Sequence, residues 1–194
     1  MKLTSQSKRD LILKAAEGIF LKKGFFPTRV EDIARAAKVA KGTVYLYFPD
    51  KESIYLSLFI QKIDEGNSFL KEMIKKDISP KEKLSQIFDD WLALFSQSEG
   101  LPSFFSLENI NFTDKIVKRT RKEIIPRISK MVSLVAGIIQ EGIKIGEFRK
   151  INPEISALTF LHLIHVGLIY QAFTKRLKGK ENFIKEIFFK GVER

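Results

Sequence analysis

The stretch Thr28–Glu52, TRVEDIARAAKVAKGTVYLYFPDKE, decides the fold. Thr28 followed by Glu31 is a capping-box pattern, opening a short helix through Ala37. Val30, Ile33, Ala34 and Ala37 share one face of that helix, and the two alanines let a neighbouring helix approach closely. A tight turn at Lys38-Val39-Ala40 leads into a second short helix, Lys41 to Phe48, ended by Pro49. Val44 and Phe48, four apart, point inward and leave Lys41, Gly42, Thr43, Tyr45, Leu46 and Tyr47 to share the remaining surface. Aromatic side chains on a short exposed helix imply a partner. Gly42 lets the backbone close on a groove, Lys41 reaches phosphate or a guanine edge, and Thr43 touches a thymine methyl or bonds a base. The pattern is a helix-turn-helix with its recognition helix at Lys41 to Phe48.

The flanking sequence is helical throughout. Leu11, Ile12, Ala15, Ala16, Ile19 and Phe20 form the apolar stripe of a first helix, with Ser7 and Asp10 at its start and Gly24 at its stop. Asp50 caps a long fourth helix from Lys51 towards Lys76. Ser79-Pro80-Lys81-Glu82 opens another, reaching about Gln97 before Gly100 and Pro102 interrupt it. A short helix over 103–109 follows, then a long one from Asp114 to about Ile145 that Pro126 kinks or splits. Gly146 closes it, Asn152-Pro153-Glu154 starts a helix through about Lys175, and Glu181 to Val192 completes the set. No segment alternates with period two. The expected fold is all-α, about nine helices in two domains: a helix-turn-helix over residues 1–51 and a helical bundle over 52–194.

Composition narrows the function classes. The chain has 194 residues, 44% of them hydrophobic and 29% charged, enough to bury a core. It has no cysteine, which excludes a disulfide framework, a thiolate nucleophile and a Cys-based zinc site. The start is polar and basic, and the most apolar run, Ala157 to Phe173, is interrupted by Thr159, His162, His165 and Gln171. A soluble, cytoplasmic protein without a membrane partner is expected. Net charge is +11, with a sequence pI near 9.7, which favours polyanions over a merely lysine-rich surface.

The run Thr28-Arg29-Val30-Glu31-Asp32-Ile33-Ala34, with Val39 to Glu52 and the preceding Phe20 and Gly24-Phe25, resembles the N-terminal domain of the TetR family of transcriptional regulators. The likeness is dense over residues 8–55; beyond it, Gly142 and Gly146-Glu147-Phe148 ahead of the Asn-Pro-Glu start match the family's usual layout. The resemblance implies a homodimeric repressor of a palindromic double-stranded DNA operator, released by a small molecule in the C-terminal domain. It implies phosphate contacts from Thr28, Tyr47 and Lys51, and approach to bases by Lys41, Gly42, Thr43, Tyr45 and Leu46. Three positions depart from the family pattern. Lys38 stands where Gly is usual, Ala40 where Ser or Thr caps the recognition helix, and Tyr47 where His is common.

Outside this region the residues leave alternatives open. The resemblance makes Trp91, Phe95, Phe105, Phe112 and His162 candidates to line an apolar effector cavity, though core packing accounts for aromatics equally well. His162 and His165, three apart, could offer two imidazoles to a metal, but no third ligand is identifiable, so no metal and no cofactor is assigned. The basic run Lys115, Lys118, Arg119, Arg121, Lys122, Arg127 and Lys130 is either a solvated face or a seat for an acidic head group such as that of a fatty-acyl coenzyme A. Ala157 to Phe173 is apolar nearly all round. With the last helix it implies a dimer interface that includes Leu158, His165, Leu168, Phe183 and Ile187. Two other readings compete: a DNA-binding regulator or activator that senses no small molecule, and a helical-bundle enzyme. The enzyme reading lacks a carboxylate cluster or nucleophile to support it.

Overall fold

A computed structural model of the chain describes residues 5–96, 114–174 and 181–193. Nine α-helices lie among them: α1 (Ser5–Lys23), α2 (Val30–Ala36), α3 (Lys41–Tyr47), α4 (Lys51–Ile74), α5 (Pro80–Ser96), α6 (Asp114–Arg119), α7 (Ile125–Lys144), α8 (Pro153–Thr174) and α9 (Glu181–Val192). The described residues contain no strand; one isolated bridge pairs Phe148 with Glu193. The fold is all-α, as the periodicity requires. The helix expected over 103–109 lies outside the described residues.

Local chemistry sets most helix ends. At α5 the capping box is reciprocal: the Glu82 amide donates to Ser79 Oγ at 3.2 Å, and the Ser79 amide donates to Glu82 Oε2 at 2.9 Å. At α8 the Ile155 amide donates to Asn152 Oδ1 at 2.9 Å, with Pro153 as the first helical residue. Gly146, at φ +81°, ends α7 in a Schellman motif, with Glu147 N bonding Gly142 O at 2.9 Å and Gly146 N bonding Ile143 O at 3.2 Å. The long helix expected from Asp114 is broken ahead of Pro126 by a π-helical turn, Thr120–Ile124. Proline has no amide for the carbonyl four residues back and its ring crowds that carbonyl, so the preceding turn widens.

Two compact units result, Met1–Lys62 with Glu99–Arg121 and Ile63–Ser98 with Lys122–Arg194. The opening turns of α4 belong to the first of these units, and Ile54, Tyr55, Leu56 and Leu58 on them are all buried. Tyr55 lies edge-on to Phe20 and Phe25, with ring centroids 5.7 and 5.0 Å apart. α2 packs on α1 and α3, burying Val30, Ile33, Ala34, Val44 and Phe48.

In the second unit α8 packs on α5, α7 and α9. Ala157, Phe160 and Ile164 are its buried stripe, and Phe160 sits between Phe88 and Phe188 at 6.3 and 5.0 Å. Gly167 lets Leu92 and Ile184 of the same chain close on α8. Phe148 is buried over Gly142, and the next amide, Arg149 N, donates to Val192 O at 3.0 Å, tying the α7–α8 connection to the end of α9.

A methyl group at Gly142 would collide with the Phe148 ring, whereas one at Gly137, on the same helix, meets nothing within 4 Å. Gly142→Ala is expected to cost about 1–3 kcal/mol through overpacking. Gly137→Ala is expected to be neutral or to stabilise by up to about 1 kcal/mol, the helix-propensity difference. Urea midpoints of the two variants moving in parallel would contradict this account.

Candidate nucleic-acid interface

α1, α2 and α3 position the expected reading surface. Val44 and Phe48 are buried as expected, so α3 is anchored on one side. Lys41, Gly42, Tyr45 and Leu46 are exposed, Leu46 at 84%, while Thr43 and Tyr47 are half-buried. An apolar side chain so far into solvent contributes nothing to the core, which fits a contact surface. The Arg9 guanidinium lies over the Phe48 ring at 5.2 Å, adding a cation to the support of α3.

The turn before α3 is a Schellman motif built on a non-glycine residue. Lys38 has φ +56°; its amide donates to Arg35 O at 3.2 Å and that of Val39 to Ala34 O at 3.0 Å. The departure noted at Lys38 is therefore a real left-handed residue with a Cβ to accommodate. Ala40 is the N-cap of α3 and provides no side-chain hydrogen bond, and the first turn of α3 holds no acidic residue. Lys41 instead forms an ion pair with Glu31 of α2, and its ammonium stands 5.7 Å from the centre of the Tyr45 ring. The hydrogen bond and charge of each partner favour the ionised form of the other: Lys41 is raised above the usual lysine value, and Glu31 lies below the usual carboxylate value.

Two residues expected at phosphates have other partners. Thr28 is buried, and its hydroxyl donates to Gly24 O at 2.6 Å. It therefore closes the α1–α2 loop, and α2 is capped one residue later, where the Arg29 amide donates to Asp32 Oδ2 at 3.4 Å. Lys51 at the start of α4 turns its ammonium into the same loop, donating to the carbonyls of Phe25, Phe26 and Thr28 at 2.8, 3.2 and 2.9 Å. All three ammonium protons are thereby used. The group also lies 4.3 Å from the Phe25 ring centre, and burial pulls its pKa below the ordinary lysine value. Asp50 caps α4 as expected, accepting from the Ser53 amide at 2.7 Å.

Side-chain patterns could not reveal the Lys51 clasp, because its acceptors are backbone carbonyls more than 20 residues away. Nor could they reveal the Glu31–Lys41 pair, formed across two separate helices.

The other candidates are spread over the second unit. Trp91 is half-buried against Phe69, with ring centroids 6.2 Å apart. Phe105, Phe112 and the side chains of Phe95 and Leu168 lie outside the described residues. His162 is exposed and its Nδ1 is 2.8 Å from Leu158 O, which places it on the open face of α8 rather than in the core. His165 is half-buried, and burial together with the neighbouring His162 lowers its pKa. Among the described residues no group of three or more His, Asp and Glu is arranged to hold a metal.

The basic run divides by role. Arg119 donates to Ser57 Oγ at 3.1 Å, and Arg127 Nε donates to both carboxylate oxygens of Asp64 at 3.0 and 3.1 Å. Lys118, Arg121, Lys122 and Lys130 are exposed. The Lys71 ammonium beside Lys130 lowers the latter's pKa.

A short helix held from behind, with polar and aromatic groups facing out and a second helix across its start, defines a helix-turn-helix DNA-binding regulator. The chain belongs to the TetR family of bacterial regulatory proteins, whose model matches residues 12–58. It is 30% identical over 143 residues to the fatty acid metabolism regulator protein of Bacillus subtilis, a match covering 72% of this chain and 70% of that protein. It is 26% identical over 148 residues to the Escherichia coli regulator RutR, across 76% and 68% of the two chains. The crystal structure of Bacillus subtilis FadR in complex with stearoyl-CoA superposes with a TM-score of 0.79 at 25% identity, over 95% of this chain and 99% of that one. FadR of Bacillus halodurans shares the fold over the full length of both chains, with a TM-score of 0.80 at 21% identity. Members of this family are non-catalytic regulators, and the chain is not an enzyme. No helix among the described residues is long and apolar enough to cross a membrane.

Two substitutions test the geometry of the reading head. Lys38→Gly is expected to raise stability by about 1 kcal/mol, the cost of the left-handed conformation for an L-residue, measured as a shift of the urea midpoint. Lys51→Met strands three carbonyls and is expected to cost about 1–3 kcal/mol of stability. Its salt dependence of DNA binding should match that of the wild type. A loss of about 0.9 from the log-log salt slope per protomer would instead make Lys51 a phosphate contact.

Proposed function

We propose that the chain is a homodimeric repressor that reads a palindromic operator with residues 1–51 and is released by a fatty-acyl effector held in residues 52–194. The observation that carries the effector class is the likeness over 95% of the chain to a regulator crystallised with stearoyl-CoA. The 30% identity to a protein named for fatty acid metabolism supports the same class. In the second unit the exposed Lys122 and Lys130 offer cations to an anionic head group, and Trp91 offers an apolar wall.

The dimer reading draws on the open faces of α8 and α9. Leu158, Val166, Phe183 and Ile187 are 42, 50, 65 and 50% exposed, and His165 lies on the same helix as the first two. Apolar groups exposed together at this level are covered in a homodimer, whose two-fold axis matches a palindrome and sets the reading helices about 34 Å apart, one turn of the double helix. Within each head, Lys41, Gly42, Thr43, Tyr45 and Leu46 approach bases and Tyr47 a phosphate, while Thr28 and Lys51 hold the loop that orients α2. The effector acts by binding one dimer shape more tightly than the other. α4 carries the change, since Lys51–Lys62 belong to one unit and Ile63–Ile74 to the other.

Titration calorimetry with stearoyl-CoA should show saturable binding, and the same ligand should weaken binding to an operator duplex by a factor between about 5 and 150, the range of ordinary allosteric coupling. No heat together with unchanged DNA affinity would remove the effector class.

A further inference from the structure

We propose that Glu31 is a specificity-determining residue, whose carboxylate holds Lys41 away from phosphates until an acceptor on a base edge displaces it. The inference rests on α3 being the helix that reads DNA.

Lys41 is the only charged side chain in α3, whose sequence is KGTVYLY. It sits in the first turn, where the positive end of the peptide dipoles disfavours a cation, and α3 has no acid of its own there to offset it. Glu31, reaching across from α2, supplies that negative charge. The Tyr45 ring, four residues on, lies 5.7 Å from the same ammonium and favours its charge. Both partners are about half exposed, at 51% for Lys41 and 48% for Glu31, so the pair is open to a competitor and costs little to break.

On a non-cognate duplex the paired lysine adds almost no net charge to the interface, and the carboxylate is repelled by the phosphates. Non-specific, counterion-driven affinity is correspondingly reduced. On a cognate site the O6 and N7 acceptors of guanine lie in the major groove at a fixed place, and Lys41 exchanges its carboxylate for them. The pair thus removes a sequence-independent attraction while leaving the base contact available. Discrimination rises because the wrong partner is penalised.

The test compares wild type, Glu31→Gln, Lys41→Met, the double variant and Glu52→Gln, which removes an equal charge elsewhere in the same unit. Fluorescence anisotropy is read on a duplex enriched from a random library by the wild-type protein and on a scrambled duplex of the same composition, over a range of salt. Glu31→Gln should tighten binding to the scrambled duplex about three- to five-fold, the reach of a surface ion pair, with less than half that effect on the enriched duplex. Its salt slope on the scrambled duplex should steepen by about 0.9 per protomer. Both effects should vanish when Lys41 is Met, and Glu52→Gln should move the two duplexes alike. Equal tightening on both duplexes, tightening that persists without Lys41, or no change at all overturns the proposal. Lys41→Met leaving every affinity untouched overturns it together with the assignment of α3 as the reader. Both acids are outside the buried core, so circular dichroism of each variant should match the wild type.

Discussion

The two seven-residue helices of the reading head depend on the burial of their inner faces against α1 and against one another. Helices of two turns do not persist by themselves in water, because nucleation costs more than so few hydrogen bonds return. α2 and α3 are held by what their inner faces bury; in the same unit Phe20, Phe25 and Tyr55 are in mutual ring contact, and Ile54 and Leu58 are buried. The clasp from Lys51 ties the first residue of α4 to three carbonyls of the loop before α2. Of the outward side chains of α3, Tyr45 and Leu46 are exposed, while Thr43 and Tyr47 remain half-buried.

Most features that depend on neighbours in the chain were legible in the sequence. Gly24 and Gly146 both take φ +81° at helix ends, Asp50, Ser79 and Asn152 all cap, and Pro126 disrupts the helix in which it stands. Thr28 failed as a cap for an equally local reason. Its hydroxyl donates to Gly24 O within the preceding loop, and the helix begins one residue later. What stayed hidden involves partners distant in sequence. The basic run from Lys115 to Lys130 reads as one surface, yet Arg119 and Arg127 are committed to Ser57 and Asp64, far back in α4. Periodicity shows which face a residue occupies and says nothing of which charge will meet it there.

The reading head also shows charge used sparingly. The excess of basic residues over residues 1–55 suggests a surface built for attraction, but Lys51 is turned inward and Lys41 is neutralised by Glu31. Cations such as Lys38, exposed in the turn ahead of α3, remain open to solvent and to any polyanion. α3 presents outward a glycine, a threonine, two tyrosines and an exposed leucine, groups that act by shape, hydrogen bonding and apolar contact.

The location of Tyr55 has a bearing on modularity. A recombinant regulator assembled by joining residues 1–51 to the sensing half of a relative would carry the donor's helices on the host's α4. Ile54, Tyr55 and Leu58 would then be replaced by whatever the host supplies, and the aromatic cluster would lose its central ring. The segment that travels intact ends near Lys62, well past the last residue of the motif. Grafting specificity between such proteins is therefore a problem of matching one helical interior, and the natural seam lies in the middle of a helix rather than in a loop.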